Sequence, residues 1–135
     1  MRARAATLGL GAFMAGAVLG CGPTDRAPDA AAVAERFHAA LERRDGGAAC
    51  SEVSEETANK LEEQAGAPCA EAILELELPG AGRAAEASVY VTSASVRLTE
   101  GGTDFLDEGS DGWKISAAGC VATAPDLPHD CELEG

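Results

Sequence analysis

The chain has 135 residues with 10 basic and 23 acidic side chains, and its first twenty residues differ in composition from the rest. Without them 115 residues remain, enough for one domain, with 8 basic against 23 acidic side chains and a net charge of −15. Such an acidic chain would repel a phosphate backbone, and four aromatic residues are too few to stack bases, which excludes nucleic acid as a partner. Val, Leu, Ile and Phe make up only about 17% of these residues, a composition that is also compatible with intrinsic disorder. The helix and strand patterns described below favour a folded domain instead.

The N-terminal segment has the order of charges and apolar residues that is typical of a secretory signal peptide. Arg2 and Arg4 precede a run of 16 residues without charge, residues 5–20. As a helix this run would span about 24 Å, less than the roughly 30 Å hydrocarbon core, so a permanent transmembrane helix is not expected. The residues at its end, Val18-Leu19-Gly20-Cys21, resemble the lipobox of bacterial lipoproteins. The resemblance implies a diacylglycerol on the Cys21 sulfur, cleavage before it and a place on the outer face of the cell membrane; the alternative is an ordinary secreted protein cut near Cys21.

The five cysteines fit the lipoprotein interpretation. An odd cysteine in an exported protein needs an explanation, and lipidation of Cys21 leaves an even set, Cys50, Cys69, Cys120 and Cys131. Four cysteines allow three pairings, of which the chain-local one joins the first two and the last two. Each such disulfide would contribute roughly 3 kcal/mol, which matters in a chain this poor in large apolar residues.

The sequence therefore divides into a signal peptide over residues 1–20, a lipidated cysteine with a short tether over 21–28, and a single domain over 29–135. A tether of eight residues reaches at most about 26 Å. The domain is expected to sit close to the membrane, held by the lipid on Cys21 and not by charge, because an acidic domain is not attracted to anionic lipid.

The first predicted helix starts at Asp29 as N-cap and carries Val33, Phe37 and Leu41 along one side. The segment Asp45-Gly46-Gly47 is expected to end it.

Two further helices are predicted before the chain turns to strands. The second begins at a Ser54 cap and stops at Gly66. The third has Pro68 in its first position and runs from Cys69 to near Leu76.

The second half of the domain reads as strands. Val89 and Val91 have odd parity whereas Val96 and Leu98 have even parity, which predicts a turn near Ser93-Ala94 or a bulge. Further turns are predicted at Gly101-Gly102 and at Asp111-Gly112. Three helices followed by about four strands in a meander predict an α+β fold.

The apolar stripe of the first helix closes in Arg44-Asp45-Gly46, a cysteine follows soon after, and the last strand carries Asp111-Gly112-Trp113-Lys114-Ile115. With the strand running into Ala118-Gly119-Cys120, this pattern resembles the NTF2-like (SnoaL-like) superfamily and is similar to small uncharacterised lipoproteins of high-GC Gram-positive bacteria. The resemblance implies a bent antiparallel sheet of about four strands wrapped over three helices to form a cone. In some relatives the cone holds a small molecule or an active site.

The sequence contains no clear catalytic motif. A G-x-S-x-G elbow is absent, and cysteines held in disulfides are not nucleophiles. His38 lies on the flank of the apolar stripe, and we interpret it as a solvated or rim histidine, with a pocket role as the alternative. Phe105 and Trp113 are interpreted as core anchors of the meander. The candidates for the core or for the lining of a cavity are therefore Phe37, His38, Leu41, Phe105 and Trp113.

No metal or cofactor is predicted. The tail segment His129-Asp130-Cys131 lacks the ligand spacing of a zinc site and would compete with a disulfide. Four acids crowd one hairpin, Asp104, Asp107, Glu108 and Asp111, but they do not match the calcium-loop pattern and are interpreted as solvated turn residues.

The function expected from the sequence is that of a lipid-anchored extracytoplasmic lipoprotein, a non-enzymatic module acting on an unknown protein partner or small ligand. The alternative is a small-molecule binder or enzyme that uses the cone cavity. An accessory subunit of a membrane complex is a third possibility, and it predicts an exposed apolar patch on the sheet face away from the helices.

Overall fold

The computed structural model describes residues 26–78, 82–125 and 127–135. The leader and Cys21, with most of the predicted tether, lie outside these residues. The described chain folds into four helices followed by an antiparallel sheet, which confirms the α+β class. None of the helices in these ranges is long and apolar enough to cross a membrane.

Between residues 26 and 78 the helices number four, where three were predicted. Their bounds are α1 Ala27–Glu42, α2 Gly46–Ser51, α3 Glu55–Ala65 and α4 Cys69–Glu75. The additional one, α2, arises because the Asp45 side chain accepts a hydrogen bond from the Ala48 backbone N–H at 3.0 Å. Asp45 thus follows the end of α1, as predicted, and also caps a new short helix. This helix forms although its first two residues are glycines.

Helix α1 begins earlier than the sequence indicates. Arg26 and not Asp29 is the N-cap, and Pro28 lies in the first turn, where no backbone N–H is needed. Asp29 instead places its negative charge near the positive end of the helix. Residues 26–28, assigned to the tether from sequence, therefore lie in the folded domain.

The ends of α3 are those predicted. The Ser54 hydroxyl accepts from the Thr57 backbone N–H, and Gly66 closes the helix with a left-handed φ of 65°. Pro68 is the N-cap of α4 and not its first residue, and Leu76 is already extended, as its place between alternating leucines and glutamates suggests.

Six strands follow in the described part of the chain, where about four were predicted. Their bounds are β1 Ala84–Tyr90, β2 Ser93–Leu98, β3 Thr103–Gly109, β4 Gly112–Ala122, β5 His129–Asp130 and β6 Leu133–Glu134. The first five are neighbours in chain order, and β6 also pairs with β4, all antiparallel. The two additional strands, β5 and β6, have two residues each and lie in the C-terminal tail. A strand of two residues is too short to show an alternating pattern in the sequence.

The turn between β1 and β2 lies at Val91-Thr92, two residues before the predicted place. Val91 is therefore not a strand residue, which resolves the conflict of parity. Val96 and Leu98 of β2 are buried on the face that the helices cover, and Val89 of β1 packs against the same core.

Two disulfides join neighbouring elements in the chain-local pairing. Cys50 of α2 is bonded to Cys69 at the start of α4, and Cys120 of β4 is bonded to Cys131 in the tail. One bond therefore ties the short helices together and the other holds the tail on the longest strand.

Candidate functional site

A histidine and an aspartate meet inside the domain. His38 of α1 and Asp104 of β3 lie with Nε2 and Oδ2 2.7 Å apart, and their side chains are only 4% and 0% exposed. The second oxygen of Asp104 accepts a hydrogen bond from the Gly119 backbone N–H of β4 at 3.3 Å. The Phe37 ring contacts the imidazole edge-on, with the ring centroids 5.0 Å apart. This group, which we call the interior pair, joins a helix to two strands.

The interior pair contradicts two expectations from the sequence. His38 is buried and not solvated, and Asp104 is a core residue and not a solvated acid of the hairpin. The missed signal is one of parity: Asp104 is two residues from Leu106 on β3, so both point to the core face. On α1, His38 lies four residues after the buried Ala34, close enough to share its face.

A histidine beside a carboxylate can serve as a general base when a substrate reaches the imidazole. The His38 and Asp104 side chains are almost fully buried, and the four clefts that described residues form on the outer face of the sheet, on α3 and around the β3–β4 turn are lined by other side chains. Within the described ranges, no buried side-chain nitrogen or oxygen lacks a hydrogen-bond partner. The arrangement is therefore suited to satisfying two buried polar groups across the core.

Of the other core candidates, three lie in or against the core and one does not. Phe37 and Trp113 are buried, and the half-buried Leu41 packs against the core. Phe105 departs from the expectation, because it lies on the face away from the helices, where its ring meets the His129 ring at a centroid distance of 5.2 Å.

Phe105 and His129 belong to a shallow cleft of about 240 Å³, which we call the outer cleft. Its remaining lining is polar: Glu86, Ser88, Ser95, Arg97 and Thr103. An Arg97–Glu86 ion pair of 2.5 Å crosses it. The accessory-subunit interpretation predicts an apolar patch on this face, whereas the described residues along it are mostly polar.

The first described residue is tied to the sheet. The Arg26 guanidinium forms an ion pair with Glu108 of β3, donates to the Val91 carbonyl oxygen at 2.8 Å, and lies 5.9 Å from the Trp113 ring centroid. These contacts, which we call the Arg26 cluster, bring the start of α1 close to the β1–β2 turn and to the β3–β4 turn. Sequence reasoning missed them, because Arg26 has no periodic pattern to distinguish it from a tether residue.

Another ion pair lies near the Arg26 cluster on the surface. Arg36 of α1 donates two hydrogen bonds to Glu52, at 2.8 and 3.0 Å. The hydrogen bonding to Glu52 raises the pKa of Arg36 above its usual value, although burial acts in the opposite direction. A group whose pKa is raised by folding stabilises the fold fully at any pH below its pKa in the unfolded chain. This stabilisation is lost only as the pH rises through its pKa in the folded protein, so for an arginine it does not change near neutral pH.

The described residues do not form a group of ligands for either zinc in the tail or calcium in the acidic hairpin. Across the ranges that the structure describes, no three His, Cys, Asp or Glu residues are grouped to hold a metal ion. In the hairpin, Glu108 is paired with Arg26, and Asp107 accepts from the Ser93 hydroxyl at 2.8 Å. In the tail, the sulfur of Cys131 is used by its disulfide.

Comparison with known proteins adds no family: no protein-family model, no curated protein and no solved structure matches the chain. The resemblance to NTF2-like proteins therefore rests on the sequence motifs alone.

Proposed function

We propose that the protein is a lipid-anchored lipoprotein on the outer face of the cell membrane, and that its NTF2-like domain is a non-enzymatic binding or interaction module. The observation that carries the proposal is the use of the cysteines. The two disulfides engage Cys50, Cys69, Cys120 and Cys131, which leaves Cys21 as the fifth. Disulfides are characteristic of exported proteins, and the remaining cysteine is the one that the lipobox-like segment would modify.

The interior pair supports a role other than catalysis. An acid or base must come within hydrogen-bond reach of its substrate. The side chains of His38 and Asp104 are only 4% and 0% exposed, so a substrate in solvent does not reach the imidazole in this conformation. The pair thus serves the packing of α1 on the sheet.

A small-molecule binder that uses the cone interior is the second candidate, and the described residues offer the outer cleft as another place for a ligand. Phe105 offers an apolar ring there, while Arg97 and His129 offer polar groups. The cleft volume of about 240 Å³ is below the usual range of about 300–1,000 Å³ for ligand pockets, so only a small molecule would fit.

The anchor is tested by expressing the full chain in a bacterium that processes lipoproteins and measuring its detergent-phase partition and intact mass. The wild type is expected in the detergent phase with the mass of a lipid on Cys21. The Cys21→Ser variant should lose that mass. Leu19→Ala should keep it, because in the lipobox pattern of an aliphatic residue, a tolerant position, a small residue and the cysteine, Leu19 occupies the tolerant position. A processed wild-type protein with an unmodified Cys21 contradicts the proposal.

The binding role is tested on the same extracted protein by native mass spectrometry, with crosslinking in cells as the second readout. A lipidated chain without a small-molecule adduct, crosslinked to one defined protein, supports the interaction module. A reproducible adduct that is lost in Phe105→Ala but kept in Phe37→Leu supports the small-molecule binder instead.

A further inference from the structure

The turn between β1 and β2 presents two neighbouring apolar side chains to solvent. Tyr90 is 85% exposed and Val91 is 73% exposed. The other two strongly exposed large apolar residues among those described are Val121 and Leu127. These lie where β4 ends, and the β1–β2 turn lies level with its beginning, so the two apolar spots are at opposite ends of the sheet.

The backbone at Val91 is unusual for its residue type. Its φ is +57°, a left-handed value that glycine or asparagine adopts readily and a β-branched residue does not. The Val91 side chain makes no compensating core contact, since it faces solvent. Folding alone therefore gives no reason for an apolar, β-branched side chain at this turn.

The Arg26 cluster places this turn at the end of the domain where the chain enters. Arg26 donates to the Val91 carbonyl oxygen itself. Cys21 is five residues before Arg26, and five residues reach at most about 17 Å. A lipid on Cys21 would thus hold the bilayer close to Tyr90 and Val91, and far from Leu127.

We infer that Tyr90 and Val91 enter the headgroup region of the membrane and orient the domain on it, an inference that rests on the proposed lipid anchor at Cys21. Tyrosine suits this depth, because its ring is apolar and its hydroxyl remains hydrated. Two apolar side chains are too few to recruit a protein from solution, but they can fix the orientation of one that is already tethered. The surface recognised is the boundary between headgroups and acyl chains.

The charges around the turn indicate that the contact is apolar and not electrostatic. Glu108 is paired with Arg26, while Asp29 and Asp111 are exposed in the neighbouring cleft. Carboxylates at this end are repelled by anionic lipid. Insertion of the turn should therefore be at least as strong in zwitterionic as in anionic vesicles.

The experiment places a fluorescent reporter at each end of the sheet of the full-length protein. Tyr90→Trp and Leu127→Trp variants are extracted from membranes, checked for the lipid mass, and reconstituted in phosphatidylcholine vesicles brominated near the headgroup. Trp113 is buried, and the wild type, which has no other tryptophan, measures its background. After subtraction of that background, quenching at position 90 is expected to exceed quenching at position 127 at least about threefold.

The outcomes separate the inference from the proposed function. Absence of the lipid mass overturns the anchor and removes the inference with it. Presence of the lipid with equal quenching at both positions overturns the inference alone and leaves the turn available to a protein partner. Quenching at position 90 that appears only when phosphatidylglycerol is added overturns it as well, because the contact would then be electrostatic.

Discussion

His38 Nε2 and Asp104 Oδ2 are 2.7 Å apart although 66 residues separate them in the chain, and this contact joins the first helix to the centre of the sheet. Because both side chains are buried, each satisfies a polar group of the other that water cannot reach. Their energetic coupling is therefore the clearest measurable property of the core.

A double-mutant cycle measures that coupling. His38→Leu leaves the Asp104 carboxyl buried with only the Gly119 N–H as a partner, and we expect a loss of about 2–4 kcal/mol in the free energy of unfolding. Asp104→Leu should cost a similar amount, and the double variant less than the sum of the two. Denaturant unfolding measures all three, with Asp107→Leu on the exposed face of the same strand as control. Additive losses would mean that the two side chains do not depend on each other.

Two adjacent glycines offer a matched pair at the contact of α2 with α4. A Cβ on Gly46 would lie 1.8 Å from the Ala70 carbonyl oxygen, and a backbone atom cannot move aside cheaply. A Cβ on Gly47 meets only the Asp45 side chain at 3.7 Å. We expect Gly46→Ala to destabilise the domain by at least about 2 kcal/mol and Gly47→Ala to be neutral or slightly stabilising, since alanine favours the helix. Equal melting temperatures for the two variants would show that α2 does not pack closely on α4.

Reduction tests the contribution of the disulfides. They close loops of 19 and 11 residues, for which chain entropy predicts roughly 3 kcal/mol each. A reducing agent should therefore lower the melting temperature by more than about 10 °C. Replacing either pair by serines should reproduce about half of the effect, and the variant should respond to reductant only through its remaining bond. An unchanged melt would mean that the apolar core alone maintains the fold.

The strained turn predicts a substitution that stabilises the domain. Val91→Gly removes the conflict between a β-branched side chain and a positive φ, and we expect a gain of roughly 1 kcal/mol. Val89→Gly, two residues earlier on β1, is the control and should lose stability, because it removes a core contact and loosens a strand. Thermal unfolding distinguishes the two. A loss at position 91 would show that the valine side chain contributes to the fold after all.

Much of the local structure could be predicted from residues that act over a few positions. The Ser54 cap and the Gly66 end of α3 are encoded by a hydroxyl within reach of a backbone N–H three residues on and by a residue that tolerates left-handed backbone. The β3–β4 turn has the same kind of origin, although it lies at Ser110-Asp111, one residue before the predicted Asp111-Gly112. The class α+β follows from the order of these elements.

The sequence by itself thus determined the order and type of most elements, the acidic charge and the even set of cysteines beside Cys21. Only the tertiary structure decided the register between strands and which buried polar groups meet. The register of β3 against β4 shifts on both sides of Phe105, whose ring lies on the outer face, while Asp104 turns inward to His38. The register and the pairing of buried polar groups depend on contacts between distant parts of the chain. Hydrophobic periodicity within one element does not indicate which polar residue of another element it will contact.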